Sequence, residues 1–241
     1  METSMILLLS ISAVLGIILF IIGIWETFMY INYSWAKRDN ENGYNGMEAA
    51  NKYLENLGDS DIRVKSAFFR MSYVRYSKMN KTMKLGVFDS KRKSLWTMAS
   101  VAKQSVAAHV IENGRDEKFD ISPFWFRIQS FWSQMFLSFI SLFLTSIFIT
   151  SIIEGWGFIA LGTILVISLL MSLPIFAFWK TSKVVYNHCD EILGNIISND
   201  EKERLKKLWK IEYIHATVLL IKTIIDIIIN VLMVILISKD R

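Results

Sequence analysis

The sequence predicts a mainly α, polytopic membrane protein: four transmembrane helices with a small cytoplasmic α+β domain. Three observations carry that prediction. Of the 241 residues 53% are hydrophobic, and they are gathered in blocks. Four of those blocks are long enough to cross about 30 Å of hydrocarbon as a helix. Between the blocks the chain is polar, with short alternating runs beside helical ones.

The first block, "MILLLSISAVLGIILFIIGIW" (Met5 to Trp25), runs 21 residues without a charge. Glu2 is the only early charge, no basic run precedes the apolar stretch and no small-x-small cleavage site follows it. Residues 1–35 are therefore expected to be an uncleaved anchor rather than a signal peptide. "NYSWAKRDNENGYNG" is polar and punctuated by Gly43 and Gly46, as a linker is. "GMEAANKYLENLG" reads as a short helix with Ala49, Ala50, Tyr53, Leu54 and Leu57 on one broad face, stopped by Gly58.

"DIRVKSAFF" and "KLGVFDSKRKSLW" alternate like two short strands, with "RYSKMNKTM" between them. A helix rich in Ala and Ser follows from Ser94 to Asn113, ended by Gly114. Its positions Val101, Ser105, Ala108 and Glu112 form a face of mostly small residues suited to close packing. Residues 36–130 make up the polar domain, which is small enough to need the membrane helices for part of its core. "MFLSFISLFLTSIFITSII" and "GFIALGTILVISLLMSLPIFAFW" form a transmembrane hairpin within 131–179. A polar helical segment occupies 180–211. The last span, "IHATVLLIKTIIDIIINVLMVILI", lies in 212–241 and is interrupted by Lys222 and Asp226.

Charge sets the expected orientation. Residues 36–130 hold 17 Lys and Arg against 11 Asp and Glu, the segment after the third span is also basic, and the turn "EGWG" has no basic residue. The positive-inside rule then places both large polar segments in the cytoplasm and both termini outside. The net charge of +5 is accounted for by topology and by contact with anionic lipid. Membrane lipid is thus an expected partner and nucleic acid is not, since no binding module is recognisable. A single cysteine, Cys189, permits no internal disulfide, which suits a reducing compartment.

The stretch "SVAAHVIENGRD" (Ser105 to Asp116) places a histidine on a small-residue helix. With "GMEAANKYLENLG", "DIRVKSAFF", the Leu-Pro of "SLPIFAF" and the helix "NDEKERLKKLWKIEYIHAT", the order of elements resembles the YugP-like neutral zinc metallopeptidases of bacterial membranes. The resemblance covers nearly the whole chain. It implies a multi-pass protein of the bacterial cell membrane, whose main polar domain the charge pattern places in the cytoplasm. It further implies a helix carrying His-Glu-x-x-His and a downstream acidic third ligand.

In such a motif residues i and i+4 bring two imidazoles to one zinc, and the i+1 glutamate polarises its water. Carried onto this chain, His109 holds the first ligand position and Val110 stands where the base would be. Asn113 replaces the second histidine, and Phe176 replaces the acidic ligand. Valine accepts no proton, asparagine is a poor zinc donor and phenylalanine offers none. The resemblance implies zinc in the family; the residues here imply no cofactor.

His109, Glu112, Asn113 and Asp116 share a helical face and are weak candidates for a rebuilt metal site. A partly solvated helix end explains them better, because catalytic zinc needs three good donors. "NHCD" (Asn187 to Asp190) sets His188 beside Cys189, but adjacent helical residues diverge by about 100°, and the segment reads as surface. In the last span His215, Lys222, Asp226 and Asn230 follow spacings of seven, four and four, one polar stripe inside a membrane helix. Lys222 and Asp226 can pair across a turn, and Glu26 is the expected partner of His215. The stripe is read as a packing device in preference to a transport path.

The expected function is that of a catalytically inactive metallopeptidase homologue acting by binding. Its expected partner is a membrane protein or peptide, including an active paralogue for which it would serve as partner or regulatory subunit. The alternatives are an active zinc metallopeptidase with other ligands, or a small membrane scaffold, immunity or transport component.

Overall fold

The computed structural model describes residues 2–35, 39–67, 76–114 and 118–239. Four long helices dominate it: α1 (Glu2–Trp35), α6 (Phe131–Ile153), α7 (Gly157–Asn187) and α9 (Asn199–Lys239). Each contains a stretch long and apolar enough to cross a membrane. Large apolar side chains such as Phe20, Ile21, Phe139, Phe143, Leu169 and Ile224 stand exposed along them. In water so many exposed apolar groups would be unfavourable; in hydrocarbon they are solvated. α7 packs on both α6 and α9, and α1 packs on α9.

Three of these helices are longer than a bilayer requires, and two of them, α7 and α9, extend into the polar segments. At 1.5 Å per residue, the 41 residues of α9 span roughly 60 Å, about twice the hydrocarbon thickness. α7 likewise runs unbroken past Trp179, and α9 runs unbroken past Ile211. The polar segment expected at 180–211 is therefore mostly the continuation of two membrane-length helices.

Against those extensions sits a small mixed domain. It comprises α2 (Gly46–Asn56), β1 (Arg63–Ala67), β2 (Tyr76–Ser77), β3 (Thr82–Gly86), α3 (Val87–Lys91), α4 (Leu95–Asn113), α5 (Pro123–Ile128) and α8 (Cys189–Leu193). Three of its helix starts are capped by side chains. Asn45 accepts from the Met47 and Glu48 backbone N–H groups while the Glu48 carboxylate accepts from Asn45 N–H, a complete capping box. The Ser94 hydroxyl caps α4 and Ser122 caps α5, with Pro123 in its first turn.

The sheet has the order β1-β3-β2. β1 runs parallel to β3 from Arg63↔Thr82 to Ala67↔Gly86, and β2 pairs antiparallel with β3. This corrects one sequence expectation. The run Lys84 to Trp96 is not a strand throughout: it leaves the sheet at Gly86 and closes a helical turn, with Arg92 N–H bonded to the Phe88 carbonyl. Phe88, which the alternation had placed on a strand, stands exposed on that turn.

α4 is the centre of the domain. From Leu95 to Ile111 nearly all of its side chains are buried, so it lacks the one-sided apolar stripe of a surface helix. Its alanines let neighbours approach on all sides. One continuous core joins α4 and α2 to Val184 and Val185 of α7 and to Leu205, Leu208 and Trp209 of α9. The polar domain thus borrows core from the extended ends of two apolar helices.

One close approach fixes α2 against α3. A Cβ added at Gly46 would lie 1.9 Å from the Asp89 carbonyl oxygen. Only glycine fits there.

Candidate functional site

The helix end that the sequence singles out is held by a residue it did not single out. α2 ends at Gly58, whose φ of +86° reverses the chain. Asp59 N–H then bonds back to the Leu54 carbonyl at 2.8 Å, and the turn aims the Asp59 side chain at α4. There the His109 Nδ1 lies 2.6 Å from Asp59 Oδ2. Asn113 Nδ2 donates to Asp59 Oδ1 at 3.0 Å. Asn113 Nδ2 also lies 3.2 Å from His109 Nδ1; both nitrogens are within hydrogen-bonding distance of the same carboxylate. Asp59 and His109 are both buried, at 5% and 8% exposure.

Phe119 closes the other side, its ring edge-on to His109 at 5.7 Å between centroids and edge-on to His188 at 5.1 Å. His109 and Asn113 therefore come together as their i, i+4 spacing requires, but each is spent on Asp59. A catalytic zinc site needs its donors converging on one point, with an open position left for water. Here His109 Nδ1 and Asn113 Nδ2 converge on the Asp59 carboxylate instead.

The remaining members of the expected face go elsewhere. Val110 is fully buried in the core. Glu112 turns to the sheet, where Tyr76 donates its hydroxyl to Glu112 Oε2 at 2.6 Å and Lys81 Nζ lies 3.4 Å from Oε1. Burial first, then that carboxylate, raises the Tyr76 phenol above its usual range. Phe176 packs on Trp125 and Trp179, with the Lys180 ammonium over its ring, in a cluster between α5 and α7 rather than beside Asp59. Asp116 lies outside the described residues. Among the described residues no three of His, Cys, Asp and Glu gather as a metal-ligand set.

Cys189 also departs from expectation. The segment read as surface holds a fully buried thiol, because α7 ends at Asn187 and the short α8 turns Cys189 into the domain core. Burial, then the Asp190 carboxylate, pushes the thiol pKa up to about 12. His188 faces out and lies 3.2 Å from Glu191.

The polar groups of the last span divide into two clusters on the α1–α9 seam. Lys222 donates to Asp226 at 2.5 Å, and the Ser12 hydroxyl of α1 donates to the other Asp226 oxygen at 2.6 Å. Gly16 of α1 faces the lysine, where a Cβ would be in ordinary contact, 3.7 Å from Lys222 Cε. Nearer the polar domain, His215 Nδ1 lies 2.7 Å from Glu26 Oε2. Asn230 is half-buried further along α9. Beside the Glu26–His215 pair, Lys103 of α4 forms an ion pair with Glu212 of α9. Nothing in the local sequence pairs residues 109 apart, so Lys103 and Glu212 were legible only as separate polar positions on their helices.

Fold and site together define a class: a multi-pass membrane protein with a small α/β domain seated on the extended ends of its helices. No known protein family, no curated protein and no solved structure matches the chain.

Proposed function

We propose that this chain is a catalytically inactive relative of the membrane zinc peptidases that works by binding. It serves as partner or regulatory subunit of an active membrane peptidase, or handles a peptide or protein at the cytoplasmic face of a bacterial membrane. One observation carries the reading. On the helix where the resemblance sets His-Glu-x-x-His, the first-ligand imidazole and the residue four positions on are both tied to the buried Asp59 carboxylate. That bond orients the imidazole, and the second histidine that the motif would set four positions on is Asn113. The position that would hold the base is filled by a core valine, Val110.

The orientation in this reading rests on the basic residues of the polar segments. The test is purification from native membranes without added metal, followed by metal analysis, a peptide-cleavage assay and identification of co-purifying proteins. The expected result is a membrane peptidase, or a peptide or protein it acts on, in the eluate and no hydrolysis by the chain alone. Chelator-sensitive cleavage by the purified chain, or stoichiometric zinc lost in His109→Ala, overturns the proposal.

A further inference from the structure

A cavity of about 350 Å³ lies where α1, α4, α5, α6, α7 and α9 meet, at the junction between the apolar helices and the polar domain. It is separate from the Asp59–His109 cluster. Glu26, Lys103, Glu212 and His215 are its charged lining, and Gln104, Gln129 and Gln134 add amides. Its size falls in the range of small-molecule sites.

One atom of this lining lacks a hydrogen-bond partner. The two cationic or potentially cationic groups are engaged, Lys103 with Glu212 and His215 with Glu26 Oε2. Two of the three amides also donate: Gln104 Nε2 to the Ser100 hydroxyl at 3.2 Å, and Gln129 Nε2 to Thr181 Oγ1 at 2.7 Å. The second carboxylate oxygen of Glu26, Oε1, is buried without a hydrogen-bond partner. Leaving a buried charged acceptor unsatisfied is costly, so such an atom marks a place where a donor belongs. Phe126 and Phe178 also line the cavity, and aromatic faces attract cations and cover apolar groups.

We propose that this cavity binds a small organic cation, a primary ammonium group on an apolar body. Its N–H donors meet Glu26 Oε1 and the amide oxygens of the lining, and its apolar part lies against Phe126 and Phe178. An anion of the same shape finds Lys103 and His215 already paired and faces two carboxylates. The site stands independently of the peptidase resemblance, since none of its residues belongs to the helix face on which that reading rests.

The experiment uses the full chain in lipid nanodiscs with phenethylammonium as probe. Hydrocinnamate serves as the matched anion and phenylethanol as the matched neutral compound. Saturable thermal stabilisation by phenethylammonium is expected, at least tenfold weaker with either control. Glu26→Gln should weaken it at least tenfold, and Ser182→Phe, which fills the cavity from α7, should abolish it. Phe176→Leu, in the separate aromatic cluster, should leave it unchanged. Should Glu26→Gln fail to fold, Ser182→Phe decides by itself. Equal binding of hydrocinnamate overturns the proposal. So does a non-saturable response that Ser182→Phe does not alter, which is what partition into lipid produces.

Discussion

Asp59 and His109, fifty residues apart in the chain, share a 2.6 Å hydrogen bond inside the polar domain. The bond ties the turn after α2 to the last turns of α4, and it places an imidazole and a carboxylate together away from water. A buried polar pair of this kind is costly to break on one side, because the remaining partner keeps its desolvation cost without its bond. Asp59→Ala should therefore destabilise the chain by about 1–3 kcal/mol. Thermal unfolding in nanodiscs measures it. Asp59→Ala combined with His109→Leu should recover part of the loss, and no recovery would mean that the pair is not coupled.

Gly46 gives a steric prediction. An alanine methyl there would collide with the Asp89 carbonyl oxygen and crowd Thr97 Cγ2, 2.9 Å away. Backbone cannot yield as a flexible side chain can, so Gly46→Ala should cost at least the roughly 1–3 kcal/mol typical of overpacking. Gly43, where an added Cβ meets nothing within 4 Å, is the comparison. Its φ of +69° makes Gly43→Ala unfavourable as well, but by only about 1 kcal/mol. The ordering of the two unfolding midpoints is the measurement.

Cys189 should be chemically silent in the folded chain. The thiolate is the reactive form, and a thiol pKa raised to about 12 by burial leaves almost none of it at pH 8. Alkylation by iodoacetamide at pH 8 should be slow in the native protein and become fast on unfolding. Because the folded pKa lies above the unfolded value of about 8.5, a thiol that must stay neutral to remain buried loses stabilisation as pH rises past 8.5. Mass-spectrometric labelling kinetics from pH 7 to 10 test this. Rapid modification under native conditions would contradict the burial.

The Lys222–Asp226 pair makes a prediction about membrane packing. Lys222→Leu alone leaves Asp226 in the helix bundle with only the Ser12 hydroxyl as partner. Lys222→Leu with Asp226→Leu removes both charges and their desolvation costs. The double variant should be more stable than either single, with a coupling of about 1–2 kcal/mol. A double-mutant cycle of thermal stability measures it. If the double variant also assembles and binds as wild type does, the stripe carries no transported ion.

Much of the scaffold is readable from residue order because it depends on local rules. Block hydrophobicity marks the four long helices, and Gly58 and Gly114 mark the ends of α2 and α4 by their backbone freedom alone. The strand-like run after Lys84 misled because alternation describes side chains and says nothing about where backbone groups find partners. Cys189 misled for a related reason: a polar-looking tetrapeptide gives no sign that a break between two helices rotates one member into the core.

The sequence by itself determined that the chain carries four membrane-length apolar helices, where α2 and α4 begin and end, and that Val110 and Asn113 follow His109 where a His-Glu-x-x-His helix carries glutamate and histidine. These are properties of neighbours within a few residues, set by sterics, capping and period. Only the tertiary structure decided that Asp59 holds His109, that Phe176 packs with tryptophans, and that Lys103, Glu212, Glu26 and His215 surround one cavity. Such meetings join residues tens to hundreds of positions apart, and they are fixed by how helices of unequal length pack, which no local pattern encodes.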